Sequence, residues 1–216
     1  MSARGDEHRW RSGKSRRCQR RPQRRRILIV CEGQETERNY FDQMKREGWA
    51  RENLAVTVKR GKGGSREQIA QFAVDRKAEA SEPYDEMWCV MDVETQAERA
   101  SCEQALRKLK ENHIEACLSN PAFEVWLLSH FQNTTHAYLD CDAVIRDLTP
   151  HWKSRFGCEY DKADPSIFQR LSPLTAAAIS NARWMREEHH SNRPILECNA
   201  TTDVYRFVER LLGPPK

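Results

Sequence analysis

Two apolar segments of this 216-residue chain run directly into carboxylates. Ile27-Leu28-Ile29-Val30-Cys31 leads into Glu32-Gly33, and Met87-Trp88-Cys89-Val90-Met91 into Asp92-Val93-Glu94. In an open parallel sheet, functional groups collect beyond the carboxyl ends of the strands. If these two strands are neighbours, Glu32, Asp92 and Glu94 meet at one edge. Three converging carboxylates repel one another unless a cation neutralises them. Mg²⁺, or Mn²⁺ in its place, suits such a set, because it takes hard oxygen ligands and shares its shell with substrate phosphates. Should the strand extend through Asp92-Val93-Glu94, residues two apart point to one face and could grip the same ion. The competing reading, ordinary polar loop residues after a strand, is favoured for one such carboxylate and evenly matched for two clusters.

The elements that must position these residues alternate along the first part of the chain. Strands are predicted at Ile27–Cys31, Leu54–Val58, Met87–Met91 and Ile114–Leu118. Helices are predicted at Thr36–Glu47, Arg66–Ala80 and Ala97–Asn112, and from Asn120-Pro121 to Phe131, with Asn120 as N-cap and Pro121 at the first helical position. The continuous apolar runs mark strands covered on both faces, so the expected architecture is α/β: a four-stranded parallel sheet flanked by helices with right-handed crossovers. Beyond residue 131 the pattern changes to helices near Asp140–Asp147, Ser166–Leu171, Leu174–His189 and Thr202–Leu212, expected as a helical cap over residues 132–216 packed on a 27–131 core.

Composition limits the function classes. Net charge is +4 and mean hydropathy −0.85. Residues 1–26 hold 11 Lys/Arg against 2 acidic residues, whereas the remainder is mildly acidic. Such a basic tail is expected to be disordered alone and suited to salt-sensitive contact with a phosphate backbone, or to be a mere solvated extension. No apolar run approaches a membrane span and no signal-peptide pattern opens the chain, so a cytoplasmic protein is expected. The eight cysteines lack zinc-ligand or disulfide spacing; Cys31, Cys89 and Cys117 fall in apolar runs and read as buried thiols. Gly61-Lys62-Gly63-Gly64-Ser65 departs from a nucleotide-binding P-loop, since Arg66 follows Ser65; a tight turn is the simplest reading, an amide nest for phosphate the other.

Three blocks carry a resemblance to a known family. Ile29-Val30-Cys31-Glu32-Gly33-Gln34-Glu35-Thr36-Glu37-Arg38-Asn39-Tyr40-Phe41 is similar to the opening motif of the RloB-like proteins, a group with a Toprim-type fold. Tyr84 to Asp92 and Ser119-Asn120-Pro121-Ala122-Phe123-Glu124-Val125-Trp126-Leu127-Leu128-Ser129-His130-Phe131 come next in the right order. Weaker likeness continues through Tyr160-Asp161-Lys162, Asn181-Ala182 and Thr201-Thr202-Asp203-Val204. The resemblance implies a Toprim/Rossmann-like sheet with a helical C-terminal extension. It also implies a glutamate after the first strand as acid/base or metal ligand, matched by Glu32, and an Asp-x-Asp pair holding Mg²⁺, matched by Asp92 and Glu94. At Glu94 the chain departs from the pattern by one methylene.

Members of that family are associated with phage-defence and restriction loci, often beside an AAA-type ATPase. The expectation is therefore a Mg²⁺-dependent endonuclease cutting DNA or RNA, an antiphage effector held in check by such a partner. A catalytically silent subunit that binds nucleic acid or the ATPase is the alternative, and hydrolysis of a small phosphate ester is a third reading. Glu124 is either an added ligand at the same edge or a carboxylate placed by the helix dipole. Lys162 could neutralise charge on the scissile phosphate, or be a surface lysine. Trp88, Trp126 and Phe123 read as core, and His189-His190 as a helix end where imidazolium suits the dipole.

Overall fold

The computed structural model describes residues 25–33, 35–49, 53–58, 65–93, 99–191 and 193–212. Glu94, Gly61 to Gly64 and the basic segment up to residue 24, each the subject of an expectation above, lie outside the described residues.

The four expected strands are parallel neighbours: β1 (Arg26–Cys31), β2 (Asn53–Val58), β3 (Glu86–Asp92) and β4 (Glu115–Asn120). The spatial order is β2-β1-β3-β4, continued by a two-residue strand β5 (Thr201–Thr202) that runs antiparallel to β4. The switch point of a doubly wound sheet therefore falls between β1 and β3, the two strands that end in Glu32 and Asp92. A backbone hydrogen bond from Glu32 N to Val90 O, 3.2 Å, carries the ladder one residue past β1.

Strand alternation divides the core into two layers. Leu28, Val30, Met87, Cys89 and Met91 face α2 (Arg66–Ala78) and α3 (Arg99–Glu111), packing on Ile69, Ala70, Ala73, Ala105 and Leu109. Ile27, Ile29, Cys31, Trp88 and Val90 face the other way, against α1 (Thr36–Arg46), α4 (Glu124–Ser129) and the C-terminal helices. That second layer holds the aromatic core. Tyr40 meets Phe41, Phe123, Trp126 and Phe168 edge-on, with centroids 5.1–6.3 Å apart, the arrangement the ring quadrupoles favour. Trp88, Trp126 and Phe123 are buried there, and Cys31, Cys89 and Cys117 are buried thiols.

The residues after 131 differ in detail from the expected helices. α5 (Cys141–Phe156) is twice as long as its sequence signal suggests and passes through Pro150. Val144, Leu148 and Trp152 bury one stripe at spacing four, and this packing overrides the proline's local preference. Asp140 caps its start, accepting from Ala143 N, and Gly157 ends it at φ +73°. α6 spans Ile167–Leu171. The single helix expected over Leu174–His189 is instead a 3₁₀ turn (Ser172–Leu174), α7 (Thr175–Arg183) and a π-helical turn (Trp184–His189). α8 (Val204–Leu212) buries Val204, Tyr205, Phe207, Val208 and Leu211. No described helix is long and apolar enough to cross a membrane.

One cap is corrected. Asn120 is the last residue of β4, paired with Thr201 of β5, and its Nδ2 donates to Ile195 O at 3.1 Å. Pairing with β5 keeps Asn120 extended, so the helix starts later, at Glu124, and neither Asn120 nor Pro121 begins it. His189-His190 end a helical turn as expected, but His190 is not placed to carry charge. Burial, then His189 and Arg193, lower the pKa of His190, which disfavours the imidazolium there.

Candidate active site at the tips of β1 and β3

Glu32 and Asp92 meet, but from opposite layers of the sheet. Continuing the alternation of β1, Glu32 falls on the Leu28/Val30 side, beneath the start of α2. There Arg66, the first residue of α2 and only 3% exposed, donates from Nη1 to Glu32 Oε1 at 2.6 Å and from Nε to the Asp92 carbonyl at 2.6 Å. The Asp92 N–H donates to Glu32 Oε2 at 3.3 Å. Arg66 therefore ties the two strand tips together. Ser65, the last residue of the glycine-rich segment, is exposed and stands just outside α2 without a side-chain cap bond.

Asp92 continues the Trp88/Val90 side and points toward α1 and α4. Its Oδ1 is buried and has no hydrogen-bond partner. Burial first, then Glu37, Glu124 and Glu32, push this carboxyl well above its ordinary value, while Arg66 partly offsets them. Glu37 falls inside the first family-like block, which assigns it no role, yet it is one of the site's main carboxyls. It lies in the first turn of α1, folded back so that Gly33 N–H donates to its Oε1 at 3.1 Å. A Cβ on Gly33 would sit 1.8 Å from Glu37 Oε2, so this glycine is what lets the carboxyl tuck under the β1–α1 turn. Burial, with Glu124 and Glu32 beside it, raises Glu37 from 4.5 to about 7.

Glu124 opens α4, buried at 3% exposure, and gathers partners from the C-terminal region. Cys141 Sγ donates to its Oε2 at 3.1 Å, Tyr160 OH to its Oε1 at 3.4 Å, and Lys162 Nζ lies 3.4 Å from Oε1. Lys162 also donates to Cys141 Sγ at 3.2 Å. Burial opposes the lysine's charge, but Glu124 and Cys141 outweigh it and hold Lys162 above its ordinary pKa. Burial and Glu124 push the Cys141 thiol up to about 12. Thr36 Oγ1 donates to Lys162 O at 3.3 Å, fastening this loop to the start of α1. The structure thus brings together Glu32, Asp92, Glu124 and Lys162, adds Glu37 and Arg66, and leaves Glu94 outside the described residues.

Four carboxyl groups and two cations crowd one edge of the sheet. Among the described residues, no three His, Cys, Asp or Glu side chains are arranged to hold a metal ion as they stand. Glu32 is turned toward Arg66, away from Asp92's layer. The donor chemistry nonetheless fits a hard divalent cation, since a buried carboxylate oxygen without a partner, crowded by like charges, is what such an ion relieves. Glu32, Asp92 and, from its sequence position, Glu94 are the residues that would hold it.

A family model described as RloB-like protein matches residues 27–211. The chain belongs to the RloB-like family. No curated protein and no solved structure matches it. The RloB-like match takes in both strand tips, Glu37, Arg66, Glu124 and the Tyr160–Lys162 loop. It therefore covers the whole candidate site and stops within α8.

Proposed function

We propose that this RloB-like protein is a divalent-metal-dependent phosphodiesterase acting on DNA or RNA, a Toprim-like nuclease serving as an antiphage effector. The observation that carries the reading is the partnerless, buried Oδ1 of Asp92 among Glu37, Glu124 and Glu32, at the switch point of the sheet. A buried oxygen left this way costs about 1–3 kcal/mol, a cost a ligand would relieve. A bound Mg²⁺ or Mn²⁺ would lower the pKa of an attacking water and offset the charge of the phosphate. Asp92, Glu32 and, from its sequence position alone, Glu94 would hold the ion. Glu37, a buried carboxyl folded back onto Gly33 N–H beside Asp92, is the candidate to pass a proton during hydrolysis. Lys162 offers a cation 45% exposed, anchored by Glu124 and open to a substrate phosphate.

A second reading, a silent subunit that binds nucleic acid or an AAA-type ATPase, is favoured by one observation: Arg66 already neutralises Glu32. Incubating the purified protein with DNA, total RNA and tRNA in Mg²⁺, Mn²⁺ or EDTA separates them. Cleavage that needs the metal and vanishes in a folded Asp92→Asn variant supports the nuclease. Metal-independent cleavage, or full activity in that variant, refutes it; binding without cleavage points to the silent subunit.

A further inference from the structure

Glu32 has both carboxylate oxygens engaged. Oε1 accepts from the Arg66 guanidinium and Oε2 from the Asp92 N–H, while Arg66 Nε is committed to the Asp92 carbonyl. The pair is closely made and shielded, with side-chain exposures of 4% for Arg66 and 23% for Glu32. A guanidinium at 2.6 Å and a divalent ion at ~2.1 Å cannot both occupy the same face of one carboxylate oxygen. Arg66 is also the counter-charge at the β3 tip, where it opposes the repulsion that Glu37, Glu124 and Glu32 exert on Asp92. A buried cation so placed substitutes for part of an ion's charge and competes with it.

We propose that Arg66 is a positioning residue that acts as the site's resident counter-cation: it holds Glu32 against β3 in the ion-free chain and sets how tightly a divalent cation binds. This rests on the metal-dependent reading above. Binding of the ion and release of Glu32 from Arg66 are then one exchange, in which a guanidinium–carboxylate pair gives way to a metal–carboxylate pair. Removing the guanidinium's charge removes the competitor, so affinity rises. A purely structural role predicts the opposite, because losing the tie between β1 and β3 would scatter the ligands and weaken binding.

The test is calorimetric titration of the full chain with MnCl₂, comparing wild type with Arg66→Gln and Arg66→Lys. Arg66→Gln should bind Mn²⁺ about tenfold more tightly, whereas Arg66→Lys, which keeps the charge, should stay within about twofold of wild type. Binding in Arg66→Gln that is unchanged or weaker than wild type overturns the counter-cation role and leaves the metal reading standing. If wild type and Arg66→Gln both fail to bind Mn²⁺, both ideas fall together. A measurement free of the glutamine variant guards against misfolding. In ¹⁵N-arginine-labelled wild type, the Arg66 Nε–H resonance, assigned by its loss in Arg66→Lys, should shift on adding Mg²⁺. A resonance that stays in place at saturating Mg²⁺ overturns the exchange.

Discussion

Replacing Glu37 with glutamine should flatten the pH dependence of stability in the metal-free chain. Its folded value, about 7, lies above its ordinary 4.5, because burial and the neighbouring Glu124 and Glu32 disfavour the charge. The folded chain therefore keeps a proton that the unfolded chain releases between roughly pH 4.5 and 7. The stability this group contributes is accordingly fully present below about pH 4.5 and is lost as pH rises through about 7. A shift from 4.5 to about 7 corresponds to roughly 3 kcal/mol at ~1.4 kcal/mol per unit. Glutamine keeps the oxygen that accepts from Gly33 N–H and carries no charge. Urea unfolding in EDTA at pH 5 and pH 8 measures the difference. Wild type should lose stability over that interval and Glu37→Gln much less, so the variant should be the more stable protein at pH 8. Parallel pH profiles for the two proteins would refute the placement of Glu37 as a buried, charge-crowded carboxyl.

The same geometry sets other outcomes. Gly33→Ala should cost about 1–2 kcal/mol, because the new Cβ displaces the Glu37 carboxyl rather than any backbone, and the cost should shrink in a Glu37→Ala background; a double-mutant cycle by urea unfolding checks it. Lys162→Met leaves the buried Glu124 without its ion-pair partner and should lower stability by about 1–2 kcal/mol, whereas Lys162→Arg, which keeps the charge, should cost less; thermal melts of the two variants report the difference. Asp92→Asn should stabilise the metal-free chain at pH 8, since burial and the neighbouring carboxyls disfavour the ionised form that Asp92 adopts when unfolded, while abolishing the extra stability that Mn²⁺ gives wild type; melts with and without Mn²⁺ would show both effects.

The centre of the sheet was legible because Ile27–Cys31 and Met87–Met91 are continuous apolar runs, a pattern that helices packed on both faces enforce. The same alternation placed the acidic tips of β1 and β3 at one edge. It also hid a consequence: consecutive alternation sends Glu32 and Asp92 to opposite layers, which becomes visible only once β1 and β3 are aligned in register. Glu37 reads in sequence as one of several acids in an ordinary helix start, and only the close approach permitted by Gly33 turns it inward. Arg66 lies 34 residues from Glu32 in sequence, so nothing local signals their pairing. The helices after residue 131 were the least legible part. Pro150 marks a break that the buried Val144, Leu148 and Trp152 stripe overrides, and β5 is too short to show a strand pattern.

Crystals grown or soaked with Mn²⁺ and measured for anomalous scattering would show whether Asp92 holds the ion. A metal centre at the β1–β3 edge places a peak within coordination distance, roughly 2.1–2.3 Å, of an Asp92 carboxylate oxygen. Well-ordered Mn²⁺-saturated crystals with no peak at Asp92, and Glu32 still paired to Arg66, would rule that centre out.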